Sequence, residues 1–334
     1  MIEQRMIELP HGITLSCRSA GARGRPVLMF LHGFPEAAFI WDELLAHFAA
    51  PEHGGFRCVA PNLRGFERSS SPSEVAAYRP KHLVQDLAAL IDAECGTGGT
   101  LAALVAHDWG GAVAWNLAAE RPARLERLIV INSPHPQTFA RELQRNPAQQ
   151  AASAYMNFLI RPDAQALLAE NDFARLWPFF DVAGASGVEA ARKITQAVVG
   201  FEHAPPMQVA TEGTGWMTET LRQQYRAVWQ GDGSAPGAGL AGQLNYYRVT
   251  PLRPAHANDP GAMAVQMPPQ AFTVTVPTLL LWAMNDAALL PSLLDGLDAW
   301  VPHLNVERID GATHWVVHER PARVAECIAR HLAT

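Results

Sequence analysis

The fold of this chain is decided by residues Leu104–Gly111, which read LVAHDWGG. An apolar run before this stretch predicts a buried strand, and the small apolar residues after it predict a closely packed helix. Between them, Asp108 has Ala106 two positions before it and Gly110 two positions after it. Small residues at both positions are the pattern of a nucleophile elbow, a sharp strand-to-helix turn. We therefore predict that Asp108 is a nucleophile that attacks carbon and forms an ester.

An aspartate between a strand and a helix also has a simpler interpretation. Its carboxylate commonly caps a helix by accepting hydrogen bonds from the first backbone amides. The eight residues alone do not separate a cap from a nucleophile. An ester intermediate, however, requires a base that activates water and a second acid that orients the base.

Two residues further along the chain meet that requirement. Asp286 follows the apolar run Leu279–Trp282, and His314 follows the predicted strand Asn305–Ile309. Open α/β sheets keep their sites at the C-terminal ends of strands, and the order nucleophile, acid, histidine is that of the α/β-hydrolase fold. We predict a triad of Asp108, Asp286 and His314. The simpler alternatives are that Asp286 caps the next helix and that His314 is unrelated to it.

Two further histidines lie near these predicted catalytic groups. His107 precedes the nucleophile and is expected to point away from it at the elbow, and His318 lies toward the terminal helix. We predict that both are structural, with His107 acting as a hydrogen-bonding group of the core.

Strands alternate with amphipathic helices around the elbow, which predicts a mostly parallel sheet flanked by helices. In the middle of the chain this alternation gives way to helical patterns, such as Ala151–Ile160, without a convincing strand. We predict an α/β-hydrolase core domain over residues 1–134 and 271–334, and an inserted helical cap domain over residues 135–270. One core helix is predicted over Leu289–Trp300.

Composition and charge exclude several classes of protein. The chain has 334 residues, of which 49% are hydrophobic and 17% charged, enough to build a sizeable core. A net charge of −6 gives no basic surplus for nucleic acid or an anionic membrane. The spacing of the four cysteines predicts neither a metal site nor a disulfide framework. The sequence has no run of 18 apolar residues that would predict a membrane span, and its first residues lack a signal-peptide pattern. We expect a cytoplasmic monomer or homodimer without nucleic-acid or membrane partners.

Four motifs carry a family resemblance: His32–Pro35 (HGFP), His107–Gly111 (HDWGG), the loop that contains Asp286, and Gly311–Trp315 (GATHW). They resemble the epoxide hydrolases and dehalogenases of the α/β-hydrolase superfamily, over nearly the whole chain. In that family, backbone amides after the first motif and after the nucleophile form the oxyanion hole, which stabilises the tetrahedral intermediate. The resemblance implies that Phe34 and Trp109 supply these amides. The implied mechanism needs no metal and no organic cofactor.

Two tyrosines favour the epoxide hydrolases within this group. Opening an epoxide creates an alkoxide, and the epoxide hydrolases supply hydroxyl donors for it from two cap tyrosines. Tyr247, within Leu244–Arg248, closely resembles the second tyrosine motif, and Tyr155, seven residues before Pro162, lies where the first donor is expected. The alternative is that both tyrosines merely pack a cap helix. Tyr246 is expected to face away.

The resemblance leaves other functions open. Haloalkane dehalogenases usually have Asn in place of Phe34, to hold the halide together with Trp109, and fluoroacetate dehalogenases carry arginines just after the nucleophile, where Trp109, Gly110 and Gly111 stand here. A non-catalytic ligand-binding member of the fold is a third possibility, against which the complete catalytic set argues. A serine esterase is excluded by Asp108 at the elbow.

We predict that the chain hydrolyses an epoxide to a vicinal diol. Asp108 attacks carbon while Tyr155 and Tyr247 donate hydrogen bonds to the oxygen, and His314 then activates water against the ester. The Trp, Met and Phe content of the cap predicts an apolar pocket, so we expect a small, largely apolar epoxide as substrate. Phe34, Trp109 and the two tyrosines are expected to contact it.

Overall fold

A computed structural model of the chain describes residues 1–180 and 215–334, together with positions 193, 195 and 196. Its strands are β1 (Glu3–Glu8), β2 (Thr14–Ala20), β3 (Val27–Leu31), β4 (Arg57–Pro61), β5 (Ala103–His107), β6 (Leu128–Ile131), β7 (Thr278–Ala283) and β8 (Leu304–Ile309). They form one sheet in the order β1-β2-β4-β3-β5-β6-β7-β8. The pairs β1–β2 and β2–β4 are antiparallel, and every other neighbouring pair is parallel. The predicted mostly parallel α/β sheet is confirmed.

The central strands are buried on both faces of the sheet. In β3, Met29 and Leu31 pack into the hydrophobic cluster on one face, whereas Leu28 and Phe30 pack into the cluster on the other. Every residue of β3, β5 and β6 is buried. A strand covered on both faces must be apolar throughout, which explains why these runs do not alternate between apolar and polar residues.

The described helices, in chain order, are α1 (Asp42–Ala49), α2 (Pro80–Cys95), α3 (Trp109–Glu120), α4 (Pro136–Arg145), α5 (Pro147–Ala152), α6 (Met156–Leu159), α7 (Ala164–Phe173), α8 (Glu219–Gln230), α9 (Leu240–Val249), α10 (Val316–Glu319) and α11 (Pro321–Leu332). Apolar residues of α2 and α3 join the cluster on one face of the sheet, and those of α1 and α11 join the cluster on the other. Within the parts of the chain that the structure describes, no helix has the length and apolar character needed to cross a membrane.

Helices α4 to α9 lie between β6 and β7, and the described residues of this insertion contain no strand of the sheet. The division into a core and a cap domain at the stated boundaries stays a prediction. The helical pattern noted over Ala151–Ile160 is divided between two short helices. The amides of Ala154 and Met156 bond to carbonyls three residues earlier, so the backbone tightens there and divides the segment into α5 and α6.

The helix predicted over Leu289–Trp300 is wrong. Two short 3-10 turns, Pro291–Leu294 and Leu297–Ala299, take its place. Gly296 between them has a φ of 68°. A residue in the left-handed region ends a right-handed helix, so the apolar spacing of this segment could not be realised as one continuous helix.

Candidate active site

Asp108 lies at the sharp turn between β5 and α3. Its φ is 50° and its ψ is −123°, a conformation that residues other than glycine rarely adopt. Glycines make room for this turn, because a Cβ on Gly33 would lie 2.1 Å from Oδ1 of Asp108, and one on Gly110 would lie 2.6 Å from the carbonyl oxygens of Leu31 and His32. The Asp108 side chain accepts no capping hydrogen bond from α3. The carboxylate is therefore presented at the turn and does not serve as a helix cap.

One carboxylate oxygen of Asp108 is held by the backbone, and the other faces a histidine. The amide of Phe34 donates a hydrogen bond of 2.7 Å to Oδ1, and the hydroxyl of Ser133 donates one of 2.7 Å to the backbone carbonyl of Asp108. Nε2 of His314 lies 3.7 Å from Oδ2. Trp109 is the first residue of α3, and the oxyanion-hole role of its amide stays a prediction.

Asp286 orients His314 and is itself held by several donors. Nδ1 of His314 and Nδ2 of Asn132 both donate to Oδ2 of Asp286, at 2.7 and 2.6 Å. The amides of Ala288 and Leu289 donate to Oδ1, at 2.8 and 3.0 Å. Asp286 therefore binds His314 and caps its own loop at the same time. The structure brings all three predicted triad residues, Asp108, Asp286 and His314, together.

Electrostatics make His314 a cation in the resting site. Burial lowers the pKa of His314, but the charge of Asp286, the hydrogen bond with it and the charge of Asp108 outweigh burial and raise that pKa to about 9. Burial acts in the opposite sense on Asp286, where the charge of His314 and hydrogen bonds from His314 and Asn132 nevertheless hold the pKa below its usual value. At neutral pH the imidazolium is thus flanked by two carboxylates and cannot yet accept a proton.

Two tyrosines border the same small cavity as the nucleophile. The cavity has a volume of about 30 Å³, enough for a water molecule. Tyr155 and Tyr247 line it together with Asp108 and His314, and the two phenol rings lie 6.3 Å apart at 73° to each other. The other residues that line it are Phe34, Phe179, Ala287, Ala288 and Trp315.

Both phenols remain protonated at neutral pH and can donate hydrogen bonds. Burial, followed by the charge of Asp108, raises the pKa of Tyr155, and burial raises the pKa of Tyr247 as well. The Trp109 ring lies edge-to-face with the Tyr247 ring, with the ring centroids 5.0 Å apart at 84°. Tyr246 faces away, as predicted, because its hydroxyl donates to the backbone carbonyl of Arg64 at 2.9 Å.

A buried network behind the site was missed by sequence reasoning. The carboxylate of Glu36 accepts hydrogen bonds from Nδ1 of His107, Nε2 of His318 and the hydroxyl of Tyr225, at 3.1, 2.8 and 2.9 Å. Nε2 of His107 donates to the backbone carbonyl of His314 at 3.0 Å. The contacts of His107 and His318 with Glu36 therefore agree with the structural roles predicted for both histidines. The only sequence signal for Glu36 is its position directly after the HGFP motif.

The described residues offer no group of histidine, cysteine and acidic side chains that could hold a metal ion. The four cysteines are free thiols, three of them buried and Cys95 half-buried. None of them lines the cavity beside Asp108.

The alpha/beta hydrolase fold family matches residues 26–321. The chain belongs to this family. The matched segment contains the elbow at Asp108 and both predicted partners, Asp286 and His314. The sheet order and the helices on both faces agree with this assignment.

Similar proteins place the chain within one group of this family. The AB hydrolase superfamily protein YfhM of Bacillus subtilis is 31% identical over 96% of this chain and 95% of its own length. Epoxide hydrolase 3 of Xenopus tropicalis is 31% identical over 95% of this chain and 74% of its own length. A solved structure from work on novel epoxide hydrolases in metagenomes from hot environments is 33% identical, with a TM-score of 0.77 and 99% of each chain covered. The predictions of a hydrolase and of the epoxide hydrolase group are confirmed.

Proposed function

We propose that this hydrolase opens epoxides to vicinal diols through a covalent ester on Asp108. One observation carries the proposal: Tyr155 and Tyr247, both protonated, border the same cavity as Asp108 and His314. A carboxylate that attacks a strained ring needs an acid on the departing oxygen, and two phenols supply it. The epoxide hydrolases among the similar proteins support the same reaction.

The first step forms the ester. Oδ2 of Asp108 attacks an epoxide carbon, the carbon–oxygen bond breaks, and its electron pair stays on the ring oxygen. Tyr155 or Tyr247 donates a proton to that oxygen, and the resulting phenolate recovers a proton from the imidazolium of His314. Oδ1, which already accepts the Phe34 amide, becomes the carbonyl oxygen of the ester.

The second step releases the diol. Esterification removes the charge of Asp108, one of the charges that raise the pKa of His314, and the neutral imidazole can then accept a proton from water. The hydroxide adds to the ester carbonyl, and the amide of Phe34, with that of Trp109, stabilises the oxyanion. The bond between the carbonyl carbon and the diol oxygen breaks, and the diol oxygen takes the proton from His314. The carboxylic acid left on Asp108 then passes the second proton of the water to His314, which restores the carboxylate and the imidazolium.

The walls of the cavity indicate the class of substrate. Phe34, Phe179 and Trp315 contribute aromatic surface, and Ala287 and Ala288 contribute small apolar side chains. We propose a small, largely apolar epoxide, because the described wall of the cavity is apolar apart from Asp108, His314 and the two phenols, all of which the reaction uses.

Trapping of the ester tests this proposal. His314→Gln removes the base of the second step, so exposure to styrene oxide should leave an adduct on the peptide that contains Asp108, measured by mass spectrometry. Asp108→Asn in the same background is the control and should remain unmodified. Diol production by the wild type without any adduct on Asp108 in the variant would contradict covalent catalysis at this residue.

Carbon–halogen hydrolysis by the same nucleophile is the alternative reaction. In haloalkane dehalogenases, the resemblance implies that the residue at the position of Trp109 holds the halide together with an Asn in place of Phe34. Here the Trp109 ring packs edge-to-face against Tyr247, and position 34 has no amide side chain. Release of halide from haloalkanes or fluoroacetate, assayed beside diol formation, separates the two reactions. Faster halide release would favour dehalogenation.

A further inference from the structure

Gln149 in α5 is completely buried and uses its whole amide group in hydrogen bonds. Its Nε2 donates to the backbone carbonyl of Ala288 at 2.7 Å and to the hydroxyl of Ser153 at 2.9 Å. Its Oε1 accepts from the backbone amide of Leu290 at 3.0 Å. A single side chain of the insertion thus binds two backbone groups of the loop that follows β7, the carbonyl of Ala288 and the amide of Leu290.

The two ends of this bridge lead to two different parts of the active site. On one side, Ser153 lies two residues before Tyr155, whose ring lines the cavity. On the other side, the amide of Ala288 donates to Oδ1 of Asp286, and Ala288 itself lines the cavity. Gln149 therefore connects the backbone that carries the first phenol with the loop that carries the triad acid.

The surroundings of the bridge are apolar on its inner side and polar further out. Ala152 and Leu290 pack against each other in a small buried cluster. Beyond it, Nδ2 of Asn146 donates to the hydroxyl of Ser292 at 3.2 Å. Among these contacts, Gln149 is the one whose partner, Ala288, also borders the cavity.

We propose that Gln149 is a positioning residue that fixes the Tyr155 phenol and the Asp286 carboxylate relative to each other. A planar amide with two donors and one acceptor defines the distance and the orientation of the loop, which an apolar side chain of the same length cannot do. Without it, the Ala288 carbonyl and the Leu290 amide are left unpaired in a buried place, so the loop must shift to find new partners. The kinetic part of this inference rests on the proposed function, and the effect on Asp286 does not.

The test compares two glutamines of the insertion. Gln149→Met removes the bridge and keeps the side-chain length. Gln144→Met is the matched control, because Nε2 of Gln144 likewise donates two hydrogen bonds. Its acceptors are the backbone carbonyls of Ala262 and Val265, each at 2.9 Å and outside the Asp286 loop. NMR titration of His314, assigned with His314→Gln, reports on Asp286, and single-turnover kinetics with styrene oxide report ester formation and ester hydrolysis separately.

We expect Gln149→Met to lower the pKa of His314 by at least about one pH unit, because the shifted loop no longer aligns the Asp286 carboxylate with the imidazole. Ester formation should slow roughly 10- to 100-fold because Tyr155 moves with the bridge, and ester hydrolysis should slow with it. Gln144→Met should lower the melting temperature comparably and leave the titration and both rates at wild-type values.

A Gln149→Met protein that melts earlier but keeps the wild-type His314 titration and both rates would overturn the proposal. If that variant does not fold, Gln149→Glu replaces it in the test. The glutamate keeps the acceptor for the Leu290 amide and has at most one O–H to donate. An intermediate fall in the His314 pKa would support the positioning role, and an unchanged pKa would refute it. A wild type without epoxide turnover would contradict the proposed function instead, and the titration would still decide the role of Gln149.

Discussion

The charge of Asp108 should control the protonation of His314, and Asp108→Asn isolates that effect. The asparagine keeps the shape of the side chain and, like an ester, carries no charge. Oδ2 of Asp108 lies 3.7 Å from Nε2 of His314. At effective dielectric constants between ~20 and ~80, a pair of charges at this distance interacts by roughly 1–4 kcal/mol, equivalent to about one to three pH units. We expect the pKa of His314 to fall by that amount from its resting value of about 9.

Histidine resonances followed by NMR between pH 5 and 10 provide the assay, with Asp286→Asn as the comparison. Of the charges that raise the pKa of His314, that of Asp286 has the largest effect, so its removal should lower the pKa further. If Asp108→Asn left the His314 pKa unchanged while Asp286→Asn lowered it, the nucleophile would not influence the base. Esterification could then not convert His314 into a proton acceptor, and the two-step scheme would lose its physical basis.

Two further outcomes follow from the same geometry. The pKa of His314 is about 9 in the folded protein and near 6.5 in the unfolded chain, so the cationic form of His314 stabilises the fold. This contribution, up to about 3 kcal/mol, is fully present below pH 6.5 and is lost as the pH rises to 9 and beyond. Urea unfolding across that range should show the decline in the wild type and a smaller one in His314→Gln. Gly33→Ala places a Cβ 2.1 Å from Oδ1 of Asp108, so the carboxylate must turn. Ester formation should fall about 100-fold in a variant whose circular dichroism matches the wild type, and unimpaired kinetics would contradict the described turn.

The parts of the site that could be predicted from sequence are those with a local signal. Asp108 has small residues two positions before and after it at a strand-to-helix turn, Asp286 follows an apolar run, and His314 follows a predicted strand; both of these segments form strands. Their meeting at one edge of the sheet follows from parallel pairing, since the C-terminal ends of such strands point the same way. The fold and the positions of the three groups therefore needed only short patterns and their order.

The supporting residues have no comparable signal. Glu36 binds His318, 282 positions away, and Gln149 binds the backbone of Ala288, 139 positions away. Nothing in either neighbourhood marks a buried amide or carboxylate for such a partner. These contacts arise only when segments far apart in the chain are packed together, and they hold groups that short patterns can identify but cannot orient.

The helix predicted over Leu289–Trp300 is absent for a related reason, namely side-chain contacts that short sequence patterns do not show. The amides of Leu289 and Leu290 donate to the side chains of Asp286 and Gln149. The spacing of leucines in this segment fits a helix, but the loop adopts the shape that the acid and the bridge require. A local periodicity was thus overridden by side chains that serve the active site.

The two acids of the site differ in how their oxygens are occupied, and this difference assigns their roles. Within the described residues, Asp286 accepts from two loop amides, Asn132 and His314, so both of its oxygens are held and its charge can only orient the imidazole. Asp108 accepts the Phe34 amide on one oxygen and turns the other toward His314 across 3.7 Å. The carboxylate of Asp286 accepts four hydrogen bonds, so neither of its oxygens can approach a carbon atom. Oδ2 of Asp108 lies beside the cavity and can do so. Hydrogen-bond occupancy therefore supports the proposed roles of Asp108 as nucleophile and Asp286 as orienting acid.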